Sequence, residues 1–253
     1  MCLKATIRKQ ENCPKVFCLQ LLLALVILLP ARWAYSQTAE QDFERGKIEL
    51  ELRNAPIAEK YLDRAISANP NQAEFYLHRA IAHTRQGKND LALADLNKAL
   101  TLNPNLGLAY YYRANINAFL QNFATVSQDF DKAVELNTRV EHSLREKGAA
   151  LVAQNQHEAA IAAFSAAINA QPMYAEAYYA RAMALRQLQR FPEAIADFTT
   201  AIERKPDYAQ ALHFRGITHI QAGNAAAGCA DLKASAKLGN PVSHESMRVY
   251  CKD

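Results

Sequence analysis

The sequence predicts an all-α chain of repeated helix pairs, and three observations carry that expectation. Proline recurs on a fixed spacing: Pro70 and Pro104 are one step apart, Pro172 lies two steps on, and Pro206 one more. Small residues recur at fixed places between these prolines. Eight Gly and nine Pro in 253 residues are too few for a turn-rich sandwich or barrel. Half the residues are hydrophobic and 21% are charged, a globular balance that excludes wholesale disorder.

In chain order, the first element is an export signal. Val16 to Leu29 is an apolar run that follows a basic segment and ends at Pro30. As a helix it would rise only ~21 Å, short of a bilayer core of ~30 Å. Ala34-Tyr35-Ser36 then offers small residues at the −3 and −1 positions of a cleavage site. A basic start, a short apolar core and a small-x-small exit describe a secretory signal peptide over 1–36, cut between Ser36 and Gln37. The mature chain is then periplasmic or secreted, with no stable membrane span. The alternative is an uncleaved anchor. Val16-Phe17 before Cys18 lacks the small residues of a lipoprotein box, so no lipid anchor is expected. Residues 1–36 hold five Lys/Arg and one acid, so basic and acidic side chains balance beyond Ser36. A duplex nucleic-acid binder needs excess cations, so that class is excluded from the leading readings.

The body divides into six units: 39–72, 73–106, 107–140, 141–174, 175–208 and 209–242. Position 8 of each is small (Gly46, Ala80, Ala114, Gly148, Ala182, Gly216), as are position 20 (Ala58, Ala92, Val126, Ala160, Ala194, Gly228) and position 27 (Ala65, Ala99, Ala133, Ala167, Ala201, Ser235). Position 24 is large and apolar: Leu62, Leu96, Phe130, Phe164, Phe198, Leu232. Small residues let two helices approach closely, and one large residue fills the gap beside them. Each unit therefore reads as helix, short turn, helix, with Gly87 and Gly223 at the inner turn of their units.

Position 7 is Arg45, Arg79, Arg113, Lys147, Arg181 and Arg215. At position 23 stand Asp95, Asp129, Asp197 and Asp231 in units two, three, five and six, but Tyr61 and Ala163 in units one and four. These pairs are expected to bridge the two helices of a unit as structural ion pairs. Arg113 and Arg215 are also expected within reach of the Asp of the preceding unit. Beyond the signal only Cys229 and Cys251 remain, which suggests one disulfide; the alternative is two buried thiols. Residues 243–253 are expected to form a capping helix, with Val242, Met247, Val249 and Tyr250 covering the apolar end of the stack.

The columns resemble the tetratricopeptide repeat, with its pattern W-x₂-L-G-x₂-Y, then A-x₃-F, then P, once in every repeat. The resemblance spans 39–242, nearly all of the chain after Ser36. It implies a right-handed superhelical solenoid whose first helices line a concave groove. The first helices depart from the pattern: position 11 is Glu49, His83, Asn117 and His219 in four units, where the family places a buried aromatic. By the resemblance, Phe43, Leu77, Tyr111, Tyr112, Asn115, Phe119, Arg145, Tyr179, Met183, Arg186, Phe214 and Ile217 face the groove, with Glu146 beside Arg145. An aromatic band with a few polar guides suits an extended or helical peptide segment. Some family members grip a C-terminal carboxylate with Lys at position 5 and Asn at position 9. Here Asn115 has Tyr111 as its partner, so that clamp is not expected.

Catalytic chemistry finds little support. None of the seven His forms an i, i+4 pair, and His157-Glu158 is followed by Ile161 where a zincin would need its second His. No P-loop, GxGxxG, GxSxG or CxxC occurs. No metal and no cofactor is expected. The expectation is an exported, non-enzymatic scaffold that docks a protein or peptide partner, as monomer or homodimer, in the cell envelope. Its rivals are a self-associating repeat protein and, further off, a small-ligand binder or enzyme.

Overall fold

A computed structural model describes residues 38–251, so the expected signal peptide and its cleavage site lie outside the described residues. The chain forms two compact units, Met1–Leu102 and Asn103–Asp253. In the first, α1 spans 38–51, α2 Ala55–Ala68, α3 Ala73–Arg85 and α4 Asn89–Leu102. In the second, α5 spans Gly107–Phe119, α6 Val126–Glu135, α7 Val140–Ala153, α8 His157–Ala170 and α9 Ala175–Gln187. It continues with α10 (Phe191–Arg204), α11 (Ala209–Gln221), α12 (Ala225–Lys237) and α13 (Pro241–Tyr250). No strand occurs among the described residues. None of their helices is long and apolar enough to cross a membrane. The fold is the all-α solenoid of antiparallel helix pairs.

The small columns make the pairs possible. Ala58, Ala92, Val126, Ala160 and Ala194 are fully buried, and so are the large residues beside them, from Leu62 to Leu232. The fit is tight enough that a Cβ on Gly148 would lie 2.5 Å from the Phe164 ring. Phe164 can fill unit four only because its neighbour has no side chain.

Turn chemistry explains how each pair closes. Arg53, Gly87, Gln121, Asn155, Gln189 and Gly223 occupy the same place in successive repeats, and all six are left-handed, with φ between 58° and 86°. Only two are glycine, so the other four hold a conformation that costs an L-residue ~1–2 kcal/mol. The outer turn follows a different rule. Asn69, Gln171 and Lys205 each precede a proline and are extended, with φ near −140°. The ring of the following proline disfavours the helical region for the residue before it. Where Thr138 and Asn240 replace that proline, Asn137 and Gly239 turn left-handed instead, at φ 51° and 85°.

The four expected ion pairs form, each as a two-point fork. Arg79 donates through Nε and Nη2 to Asp95 at 2.9 and 2.7 Å, and Arg113 to Asp129 at 2.8 and 2.7 Å. Arg181 meets Asp197 at 2.7 and 2.8 Å, and Arg215 meets Asp231 at 2.7 Å twice. Hydrogen bonds to these carboxylates raise the Arg79, Arg113 and Arg181 pKa values against the effect of burial. The third arm links one helix pair to the one before it: Arg79 to Asp63, Arg181 to Ser165, Arg215 to Thr199. Arg215 thus takes a hydroxyl of the preceding pair rather than the expected Asp197. Lys147, with Ala163 in place of an acid, bonds Asp131 at 2.7 Å. Arg45 lies over the Tyr61 ring, 5.8 Å from its centroid.

Two of the polar residues at position 11 have polar side chains beside them. His83 is buried with Glu59 at 3.3 Å and Asp95 at 3.2 Å. Burial works against the Glu59 charge, but hydrogen bonds from Lys88 and Gln86 and the nearby His83 bring its pKa down to about 2. Glu49 accepts a hydrogen bond from the side chain of Asn54.

The C-terminal helix corrects an expectation. It begins at Pro241, and Cys229 and Cys251 are bridged as a disulfide with Cα atoms 5.7 Å apart. Its seat is polar, however. Fully buried Ser243 lies 2.9 Å from His213 Nδ1 and donates to Ser235 Oγ at 2.8 Å, and Ser235 donates to the Ala209 carbonyl at 2.6 Å. Val242, Val249 and Tyr250 are at least half exposed and do not cover the stack. Ser243 stands one full repeat after Ala209, in the first column of the repeat, which is Ala or Gly in five of the six units and Glu141 in the fourth. The helix therefore docks as another first helix would: half-buried Met247, one turn on from Ser243, shares its docking face, while Val242, Val249 and Tyr250 face outward.

Two measurements check this account. Gln189→Gly is expected to stabilise the protein by about 0.5–1 kcal/mol, and Gly223→Ala to destabilise it by about 1 kcal/mol, in thermal melts. Asp197→Ala leaves Arg181 half-buried without its fork and is expected to cost about 2 kcal/mol in urea unfolding, against under about 0.5 kcal/mol for the exposed Asp207→Ala.

Candidate functional site

The first helices of Asn103–Asp253 are α5, α7, α9 and α11, and neighbouring members of this row contact one another. On each, residues three and four apart share a face. That rule aligns Tyr112, Asn115 and Phe119 on α5, and Arg145 and Ala149 on α7. It aligns Tyr179, Met183 and Arg186 on α9, and Phe214, Ile217 and Gln221 on α11.

At the α5–α7 end, an open cleft of about 200 Å³ is lined by Asn115, Ala118, Phe123, Phe130, Glu146, Ala149, Ala150 and Ala153. Phe119 is 77% exposed. Tyr111 and Tyr112 are half-buried and meet edge to face, with centroids 5.6 Å apart. Tyr111 also packs on buried Phe130 at 6.2 Å, so it serves the core as well as the surface. Burial, with the charge of Glu146, pushes the Tyr111 phenol up. Asn115 donates its side-chain amide to the Tyr111 carbonyl at 2.7 Å.

Across the cleft, Arg145 is paired with adjacent Glu146 and donates to the Tyr174 hydroxyl at 2.7 Å. Burial works against the Arg145 charge, but Glu146 and Tyr174 more than offset it and raise its pKa. His142 lies 5.3 Å from the Tyr174 ring and 3.0 Å from Glu141.

At the α9–α11 end, Tyr179 is surrounded by Phe198, Tyr208 and Phe214 at centroid distances of 5.8, 5.0 and 6.1 Å. Met183 and Ile217 are half-buried beside them. Arg186 lies over the Phe214 ring at 5.5 Å and donates to Gln221 at 3.1 Å. Burial raises the Tyr179 and Tyr208 phenols. Burial, and then the Arg186 charge, lowers His213.

Ten of the twelve expected groove residues therefore lie in this unit with part of their surface open. The other two belong to Met1–Leu102, and there the expectation fails. Phe43 is 6% and Leu77 1% exposed, so they are core. Phe43 stacks on Phe75 at 4.7 Å and is covered by Lys47. Position 5 of the last repeat, His213, is likewise buried, at 7%.

Tyr174, Tyr208 and Gln221 were not expected at the site. Tyr174 and Tyr208 carried a readable signal, since both are Tyr and stand one repeat apart just before a first helix. Gln221 had none, because its role depends on where Arg186 falls. No cluster of His, Cys, Asp or Glu suited to a metal occurs among the described residues.

The paired helices, the small columns and the open row of first helices define a repeat protein of the protein-interaction class. Comparison with known families agrees: the tetratricopeptide repeat model matches residues 43–107, 145–209 and 179–240. The chain belongs to the tetratricopeptide repeat family. None of the curated proteins compared with it matches. Among solved structures, PilF of Pseudomonas aeruginosa is 12% identical, with a TM-score of 0.73 over 85% of this chain and 99% of its own. PilW, described as a widely conserved type IV pilus biogenesis factor, is 19% identical, with a TM-score of 0.72 over 83% and 98%. YrrB, described as a repeat protein with an unusual peptide-binding site, is 22% identical, with a TM-score of 0.62 over 74% and 97%. At these identities the likeness concerns the fold.

Proposed function

We propose that this chain is an exported, non-enzymatic scaffold. Its 39–242 segment works as six repeats, and it binds an extended or helical peptide segment of a partner along α5, α7, α9 and α11. The process is assembly or upkeep of a cell-envelope complex. The observation that carries this reading is the row of side chains left open on four successive first helices: Tyr112, Phe119, Arg145, Met183, Arg186 and Ile217. Aromatic side chains offer large contact area and Met adapts to varied shapes, which suits peptide capture. The Cys229–Cys251 bridge supports export, since such bonds persist in oxidising compartments. YrrB, with its peptide-binding site, and the pilus factor PilW share the fold and make both parts of the reading reasonable by analogy. A second reading, self-association, draws on the exposed Val242, Val249 and Tyr250 of α13.

The test is a cross-linked pull-down from the native envelope, read by mass spectrometry, beside a Tyr112→Ala, Phe119→Ala variant confirmed helical by circular dichroism. Tyr111 is left in place because it packs on Phe130. Partners held by the unmodified protein should be lost at least tenfold with the variant. Equal capture by both would move the site to another face, and mass that rises with concentration in light scattering would favour self-association.

A further inference from the structure

We propose that the α9–α11 end of the groove is a subsite for an acidic side chain of the bound segment, and that Arg186 reads it. The proposal rests on the groove reading above and gives its partner a chemistry. The starting point is charge. Along this face Arg145 is paired with Glu146, His142 with Glu141, and Glu176 with Lys205. Arg186 differs: among the described residues no carboxylate pairs with it, and Gln221 takes only its Nε. The Phe214 ring beneath and Gln221 beside it hold the guanidinium plane. A guanidinium fixed in this way keeps a fork of donors for a carboxylate at little further ordering cost.

The surroundings suit a partner group better than bulk water. Met183 and Ile217 flank the site and are half-buried, so a residue next to the acid would gain apolar contact there. His213 is buried with its Nδ1 2.9 Å from the Ser243 hydroxyl, and burial, followed by the Arg186 charge, lowers its pKa, so the cation offered here is Arg186. The occupant is thus an acidic residue with an apolar neighbour on an internal stretch of peptide. The Lys and Asn pair that grips a chain terminus in some relatives is absent from these helices: Tyr111 stands beside Asn115, and His213 beside Ile217.

The test is panning of a phage-displayed random peptide library on the purified protein and on Arg186→Gln and Arg186→Glu variants of equal thermal stability. The proposal expects enriched peptides to carry Asp or Glu beside an apolar residue. A synthetic copy of the leading peptide should bind about tenfold more weakly to Arg186→Gln, as for a lost charge-assisted hydrogen bond. Arg186→Glu should turn the preference toward Lys and Arg, which a merely structural role for Arg186 would not do. Acidic preference that survives in Arg186→Gln overturns the proposal. So do enriched peptides without acids; if these depend on Tyr112 and Phe119, the groove reading stands alone. An absence of any enrichment overturns both.

Discussion

The structure depends on how closely two helices of a pair approach. Ala or Gly on one helix and small residues, mostly Ala, on the other remove the side chains that would hold the backbones apart, and one Leu or Phe fills the remaining gap. Apolar packing of this kind is not directional. The Arg–Asp fork supplies direction, because a planar guanidinium meets a carboxylate at two points only in one register. The fork also joins pair to pair through its third arm. Where the acid is missing, the cation finds a neighbour of similar reach: Asp131 for Lys147, the Tyr61 ring for Arg45.

This arrangement assigns the two helices different tasks. The second helix is occupied with packing through its small and large columns. The first helix gives one stripe to its partner and shows another to the groove. That second stripe is free to vary without cost to the pair, which is why one of its columns runs Asn115, Ala149, Met183, Ile217. Function in a solenoid is written on the stripe that packing does not use.

Most of the fold was legible in the sequence, because each packing demand recurs in every repeat. The sixteen-residue spacing of Arg79 and Asp95, and of Arg181 and Asp197, is enough to imply their pairing. The inner turns were half legible: Gly87 and Gly223 announced a left-handed residue, whereas Gln121 and Gln189 adopt it without a sequence mark. The groove was less legible. Phe43 and Leu77 share a column with Tyr179, yet they are buried and it is partly open, a difference that their apolar character does not announce. The cap was misread for a physical reason. Val242, Val249 and Tyr250 look like a sealing face, yet buried Ser243 sets the helix rotation through Ser235 and His213 and turns them outward. Nothing in a helix made of mixed Ser, Val and Met says which stripe will dock.

The most direct test of the central claim, that the first-helix row of the second unit is the binding surface, is hydrogen exchange by mass spectrometry. The purified protein would be compared with and without a saturating peptide selected by panning. Amide exchange in a packed helix reports its local opening, which a bound segment suppresses. The account predicts slowed exchange in α5, α7, α9 and α11, with α6, α8, α10 and α12 unchanged. Protection confined to the second helices, or to α13, would contradict it.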